Sequence, residues 1–261
     1  MRIFFFKRLG EAGTLVHGFT TRLGGVSTGP YESMNMAFHV GDRPENVVEN
    51  RERALGFLGI DPGCLVAGEQ VHGDKVLIVG SSEKGRGAQD RESALPGADA
   101  LVTKESGVAL ASFYADCVPL FFWDPVKGVA ALAHAGWKGT LLNIGPKTVK
   151  QMVLAFGCRP HDIMAGIGPS IGPCCYEVGE GVARAFYGAF DRAGKFLRPV
   201  SAGRYRLDLW QANKLGLVEA GVKEVNIEVA RLCTSCHRHL FFSYRASGGV
   251  CGRMAAVIML V

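Results

Sequence analysis

The 261-residue sequence predicts an α+β fold in which mixed β-sheets pack with helices. Two observations carry this. Strand-like runs rich in β-branched and aromatic residues outnumber helical patterns, and the two kinds do not alternate as they would in a doubly wound parallel sheet. A third observation sets the class: 48% hydrophobic and 20% charged residues with 35 glycines describe a turn-rich folded protein able to bury a substantial core, which argues against disorder. No low-complexity linker and no repeat at periods of roughly 20 to 50 residues divides the chain, so one domain over residues 1–261 is expected.

Along the chain, MRIFFFKRLGEAG reads as a first strand, because its apolar run is too short for a signal peptide and lacks a small-residue cleavage site. ENVVENRERALGFLGI (45–60) places Val47, Val48, Arg51, Leu55 and Leu58 at helical spacing after the start signals Asp42 and Pro44. KVLIV (75–79) is a strand, and the polar stretch 80–99 is a surface loop. ALVTK (100–104), VALASFYA (108–115), VPLFFW (118–123) and VAALAHA (129–135) are strands. GTLLNIGPKTVKQMVLAFG (139–157) reads as one helix and DIMAGIG (162–168) as a strand. Helices follow at 179–190 and at 208–221, the second ending on a C-cap glycine. EVNIEVA (224–230) and AAVIMLV (255–261) complete the strands.

The net charge of +5 is spread along the chain with no block of basic residues, so no nucleic-acid partner is expected, while a small anionic substrate is compatible. No apolar run approaches the roughly 18 to 20 residues of a membrane helix. The expectation is a cytoplasmic protein, a monomer or weak homodimer, without membrane contact. Its eight cysteines, at positions 64, 117, 158, 174, 175, 233, 236 and 251, are then expected as reduced thiols.

The two central strands carry chemistry. If their turn centres between Pro125 and Val126, Cys117 and His134 face each other with Cβ atoms about 4.5 to 5.5 Å apart. A slip of one residue would send them to opposite faces. The pair reads as a nucleophile with its base, as two ligands of one metal, or as a small buried hydrophobe beside a satisfied core histidine. Polar or glycine-rich flanks, AD before Cys117 and AGWKG after His134, favour a functional role at strand ends. His72 in GEQVHGDKV is a third candidate. Two imidazoles and one thiolate with an open fourth position form a catalytic zinc pattern, and also match the equatorial ligands of blue copper.

Eight segments extend this from residues to a family: HGFTTRLGGVSTGPYESMNMAFHVGDRPENVVENR, EQVHGDKV, ADALVT, ADCVPLFF, VAALAHAGWKGT, GIGPSIGPCCYEVG, FFSYR and GRMAA. In these the chain resembles the YfiH family, described as laccase-like or polyphenol oxidase domain proteins and as purine nucleoside phosphorylases that also deaminate adenosine. The resemblance implies a four-layer α/β/β/α arrangement with mixed sheets, related to cysteine hydrolases, and no nucleotide cofactor. It implies that His72, Cys117 and His134 are both catalytic residues and metal ligands, for zinc or alternatively copper. Its implied substrates are adenosine, inosine, guanosine or methylthioadenosine with phosphate, giving free base and ribose 1-phosphate.

In that context TTRLGGVSTG (20–29) offers a guanidinium, backbone amides and hydroxyls for an anion, making Arg22 a phosphate or substrate contact. Asn35, Lys138 and Arg245 are further substrate candidates from the matched segments, and Glu69 is a candidate proton carrier. The deaminase signature H-x-E followed by P-C-x-x-C is absent, so deamination would use a site unlike the one that signature builds, here the His-Cys-His set. Cys174 and Cys175 are assigned no catalytic role. Cys233 and Cys236 with His237 and His239 read as an incidental metal grip or as a variable loop.

Three competing classes stay open. Metal-free catalysis would use a Cys117 thiolate activated by His134, a role at odds with ligation because a metal-bound thiolate is a poor free nucleophile. A copper-dependent polyphenol oxidase is the runner-up; seven histidines and a single H-x-H motif cannot house four coppers, although one copper fits N and S ligands. A non-enzymatic binding module leaves the His-Cys-His set without a purpose.

Overall fold

A computed structural model describes residues 1–9 and 13–261, so residues 10–12 of the expected first-strand stretch lie outside the described residues. In chain order the strands are β1 (Ile3–Phe4), β2 (Leu15–Thr20), β3 (Leu65–Ala67), β4 (Val76–Ile78), β5 (Ala100–Thr103), β6 (Ala109–Tyr114), β7 (Val118–Asp124), β8 (Val129–Ala135), β9 (Met164–Ile167), β10 (Glu177–Gly179), β11 (Leu197–Ser201), β12 (Arg204–Leu207), β13 (Ile227–Val229) and β14 (Met254–Leu260). The α-helices are α1 (Pro44–Phe57), α2 (Trp137–Leu141), α3 (Ile144–Phe156), α4 (Glu180–Ala189) and α5 (Leu209–Glu219). None is long and apolar enough to cross a membrane.

A five-stranded sheet runs β1-β2-β14-β6-β3, a six-stranded sheet β13-β9-β7-β8-β5-β4, and a small one β10-β12-β11. The two larger sheets are mixed: β3 joins β6, β4 joins β5 and β13 joins β9 in parallel, while their other pairs are antiparallel. The α+β expectation therefore holds.

Strands β7 and β8 are buried along their whole length, which explains their near-continuous apolar sequence. Leu120, Phe122, Ala131 and Ala133 pack toward Ile144, Val149 and Met152 of α3. Phe121, Trp123, Ala130 and Leu132 belong instead to a cluster with Leu110, Ala256 and Ile258 of the five-stranded sheet. The opposite face of that sheet, through Ala109, Ala111, Ala255 and Val257, meets Ala54 and Leu55 of α1.

The β7–β8 register differs from the sequence expectation. His134 pairs with Pro119 and Ala135 with Val118, so the turn centres between Val126 and Lys127. Asp124 sets it: its Oδ1 accepts from the N–H groups of Val126 and Lys127, both at 2.9 Å, and Gly128 closes it at φ 61°. Cys117 thus lies level with Gly136, beyond the paired strands. Because the displacement is an even step, Cys117 and His134 keep the same face as diagonal neighbours.

The single helix expected over 139–157 is broken into α2 and α3. Pro146 lacks an N–H and would clash with the preceding turn of a continuous helix, so the chain breaks at Asn143, which takes the left-handed conformation at φ 61°. Strands β2, β3 and β10 to β12 were not expected. Gly18 interrupts the β2 pattern because a Cβ there would lie 2.7 Å from Ile3 Cγ2, β3 and β10 are too short to show a period, and β11 is largely exposed.

The 80–99 stretch is a chain of turns pinned inward. Buried Arg51 of α1 donates to the carbonyls of Met36 at 2.8 Å, Gly87 at 2.6 Å and Ala88 at 2.8 Å. Its guanidinium lies between the rings of Phe38 and Phe113, 4.3 Å from each centroid. Burial pushes its pKa down to about 9, so the group is still charged at neutral pH. Lysine cannot match this planar fork. Arg51→Met should leave three buried carbonyls unpaired and cost about 3 kcal/mol in urea denaturation, with Arg51→Lys only partly restoring stability.

Candidate active site

Cys117 sits where the chain leaves β6 in one large sheet and enters β7 in the other. The connection is sharp, with Asp116 at φ 88°. The buried Asp116 carboxylate holds the turn by accepting from Thr234 Oγ1 at 2.6 Å and from the N–H of Arg245 at 2.7 Å. Its carbonyl accepts from the N–H of Ile171 at 2.9 Å. Favourable hydrogen bonds thereby offset an uncommon backbone conformation.

His134, near the end of β8, is buried, and its Nδ1 lies 2.8 Å from Asp99 Oδ1. His72 stands on the loop between β3 and β4 at φ 61°. That loop wraps the same carboxylate: Asp99 accepts from the N–H groups of Val71 and His72, each at 3.1 Å, and of Gly73 at 2.7 Å. One buried side chain therefore orients both histidines.

The ligating atoms of His72, Cys117 and His134 lie within 4.8 Å of one another, and the two imidazole rings meet edge to face with centroids 4.8 Å apart. Gly136 makes room for them. A Cβ at this position would lie 2.9 Å from Cys117 Sγ and 3.2 Å from His72 Cδ2, closer than packing allows.

Burial would push the Cys117 thiol up, but the charge and hydrogen bonding of His134, then those of His72, outweigh it and bring the thiol down to about 6. Burial would lower His134, yet the Cys117 thiolate and the Asp99 carboxylate raise it to about 9. Asp99 is itself held below the ordinary carboxylate range: its burial is outweighed by His134 and the loop N–H groups. At neutral pH without metal, the pair is a thiolate beside an imidazolium. Two nitrogens and a soft sulfur facing one space, with His134 oriented through its second nitrogen by a carboxylate, also fit a zinc or copper ion.

The three residues open into a cavity of about 510 Å³, of a size suited to a small ligand. Its walls include Phe113, Trp137, Tyr176 and Tyr244, with His39, Gln70, Arg245 and Arg253 supplying polar groups. Arg245 donates to the Glu177 carbonyl at 2.9 Å and lies over the Tyr176 ring. Partial desolvation, followed by the positive charges of Arg253 and Arg91, pushes the His39 imidazole down to about 4.

The other expected substrate residues stand elsewhere. Arg22 donates to the carbonyls of Glu32 and Arg238 and covers the Phe242 ring. Buried Asn35 accepts from the N–H of Arg253 at 2.9 Å and donates to Asp42, so it supports the cavity wall from behind. Lys138 is exposed on α2, near the Trp137 ring. Glu69 pairs with Arg91 at 3.4 Å beside a smaller recess. Sequence reasoning missed Asp99, Asp116, Gly136, His39, Tyr176 and Arg253. Asp99 and Asp116 had a signal, since both stand in family-matched segments, Asp99 directly before the ALVTK run and Asp116 directly before Cys117.

Four outcomes follow. Asp99→Asn should weaken metal affinity about 10- to 100-fold in competition with a chelator. Gly136→Ala should displace Cys117 or His72 and impair the same binding while the protein stays folded by circular dichroism. In metal-free protein, alkylation of Cys117 should rise through a midpoint near pH 6, because the thiolate forms above its lowered pKa. His134→Asn should move that midpoint upward.

The family described as Multi-copper polyphenol oxidoreductase laccase matches residues 16–261. The chain is 45% identical over 244 residues to Purine nucleoside phosphorylase YlmD of Geobacillus stearothermophilus, covering 93% of this chain and 89% of that protein. It is 35% identical over 240 residues to Adenosine deaminase RL5 of an unknown prokaryotic organism, with 91% of each chain covered. The crystal structure of Bacillus licheniformis hypothetical protein YfiH superimposes with a TM-score of 0.94 at 39% identity, covering 96% of this chain and 94% of that one. Motifs, near-complete coverage and fold all agree: the chain belongs to the YfiH family, the family described as multi-copper polyphenol oxidoreductase laccase.

Proposed function

We propose that this protein is a purine nucleoside phosphorylase that takes adenosine, inosine, guanosine or methylthioadenosine with phosphate, and that the same pocket deaminates adenosine. The observation carrying this is the convergence of His72, Cys117 and His134 on a cavity that combines aromatic walls with two arginines. The names of its relatives, a phosphorylase and a deaminase, support the same substrate class.

Phosphorolysis breaks the bond from C1′ to the purine nitrogen and forms a bond from C1′ to a phosphate oxygen. No redox group is needed. Phe113, Trp137, Tyr176 and Tyr244 provide apolar surface for a purine, and Arg245 and Arg253 provide charge for phosphate. Arg22 and Asn35 then act through the loops they hold, and Lys138 through its place beside the cavity-lining Trp137. His72, Cys117 and His134 would hold the metal, which when bound supplies Lewis-acid activation of water or of a substrate oxygen. Asp99 keeps His134 Nε2 directed at that position by occupying Nδ1.

A second reading rests on the alignment of Cys117, His134 and Asp99. A thiolate, an imidazole and a carboxylate in that order are the parts of a metal-free cysteine hydrolase, and the four-layer α/β/β/α reading of the fold belongs with that kinship. His72 speaks for the metal, since a second imidazole on the same sulfur has no task in a dyad. Phenol oxidation with a single copper held by the same donor set is the alternative reading to phosphorolysis. We read the protein as one cytoplasmic domain working as a monomer or weak homodimer, without nucleic acid, membrane or nucleotide cofactor.

Purified protein of defined metal content, incubated with adenosine and phosphate, should yield adenine and ribose 1-phosphate, with inosine from deamination, resolved by chromatography. Cys117→Ala should abolish these products. Arg245→Leu should raise the KM for phosphate about tenfold and affect that for nucleoside less. Absence of product with every purine nucleoside, in zinc- and copper-loaded protein alike, would refute the proposal. Activity that survives chelation and falls on adding zinc would favour the metal-free reading.

A further inference from the structure

Four cysteines away from the His72, Cys117 and His134 group also converge. Cys174 and Cys175 lie in the turn after Gly172, and Cys233 and Cys236 lie in a second turn more than fifty residues later. Their four sulfurs are within 4.8 Å of one another. Cys236 Sγ is 3.5 Å from Cys174 Sγ and 3.4 Å from Cys175 Sγ. His237 and His239 are not part of this group: His237 Nδ1 lies 3.0 Å from the Cys233 carbonyl.

Sulfur spacing discriminates between the uses of four thiols. A disulfide requires about 2.05 Å between sulfurs, and all four thiols are free. An iron–sulfur cluster holds its cysteines around several metal atoms, too widely for four sulfurs gathered this closely. Sulfurs about 2.3 Å from one tetrahedral zinc lie about 3.8 Å apart, which matches the observed range. Cys233-x2-Cys236 has the spacing of a zinc knuckle, and the N–H of Gly172 already points at Cys233 Sγ from 3.3 Å, as backbone donors do around a bound thiolate. Arg206, which donates to the Cys174 carbonyl, supplies positive charge beside a centre of net charge −2.

We propose that Cys174, Cys175, Cys233 and Cys236 form a tetrathiolate site for one zinc ion, separate from the candidate active site. The ion clamps together two turns that support the cavity. Ile171 and Tyr176, on either side of the first turn, line that cavity, and Thr234 in the second holds the Asp116 carboxylate next to Cys117. The site is structural and independent of the reaction proposed above.

Cobalt(II) tests this without an activity assay. Cys117→Ala protein, prepared under reducing conditions and stripped by a chelator, retains no thiolate at the His-Cys-His group. It should nevertheless bind one equivalent of Co²⁺ with intense thiolate-to-cobalt charge-transfer bands and the d–d bands of a tetrahedral ion, both lost on adding one equivalent of Zn²⁺. Zinc should protect Cys174, Cys175, Cys233 and Cys236 from alkylation as read by mass spectrometry. In otherwise unchanged protein, replacing the exposed pair by Cys174→Ser and Cys236→Ser should remove one zinc per chain and that protection, with the fold checked by circular dichroism. Absence of the charge-transfer bands, equal alkylation with and without Zn²⁺, or a disulfide among these cysteines in the reduced preparation would overturn the proposal.

Discussion

The Asp99 carboxylate is the constraint on which the candidate site depends. It is buried, accepts from three consecutive N–H groups of the loop carrying His72, and faces the Nδ1 of His134. Its backbone is tied into the sheet as well, since the Asp99 carbonyl accepts from the N–H of His134 at 2.8 Å and the Asp99 N–H donates to Lys75 at 3.1 Å. A loop, a strand end and an imidazole are thus referred to one group. A flexible loop is a poor support for a reacting side chain, and this arrangement gives His72 the precision of the neighbouring strands.

Asp116 performs a matching task for the sulfur. Near Cys117 and His72 the backbone adopts positive φ at a residue other than glycine, and both times a buried carboxylate compensates, Asp99 for His72 and Asp116 for the turn into Cys117. Asp99 is held below the ordinary carboxylate range beside His134, and Arg245 and Arg253 line the same cavity. The Cys117 thiolate and the Asp99 carboxylate stabilise positive charge on His134, and two guanidiniums in the lining favour an anionic ligand. A nucleoside and an oxyanion are consistent with such a division.

Much of the fold was legible because β7 and β8 are buried on both faces and cannot hide their composition. The register was not, because it is decided by the Asp124 side chain capturing two N–H groups, a choice that competes with the turn signal of Pro125. Cys117 and His134 could be found as chemistry-bearing residues at strand ends. Asp99 carried a sequence signal at the start of a matched strand, but its orienting role, like the volume left open by Gly136, is a property of three-dimensional contact. The same holds for Cys174 and Cys175, whose meaning depends on a turn brought beside them by the parallel bridge of Ser170 to Cys233.

Strand β14 lies in the middle of the five-stranded sheet, bonded on one side to β2 and on the other to β6. In β2, Phe19 pairs with Ala256, across almost the whole sequence. Such distant partners impose a large loop-closure entropy before any ladder bond forms, which places this protein among slow-folding topologies. Until β14 inserts, the facing edges of β2 and β6 are open, unpaired templates, so the interval before closure is the one in which this chain is most exposed to pairing with another copy of itself.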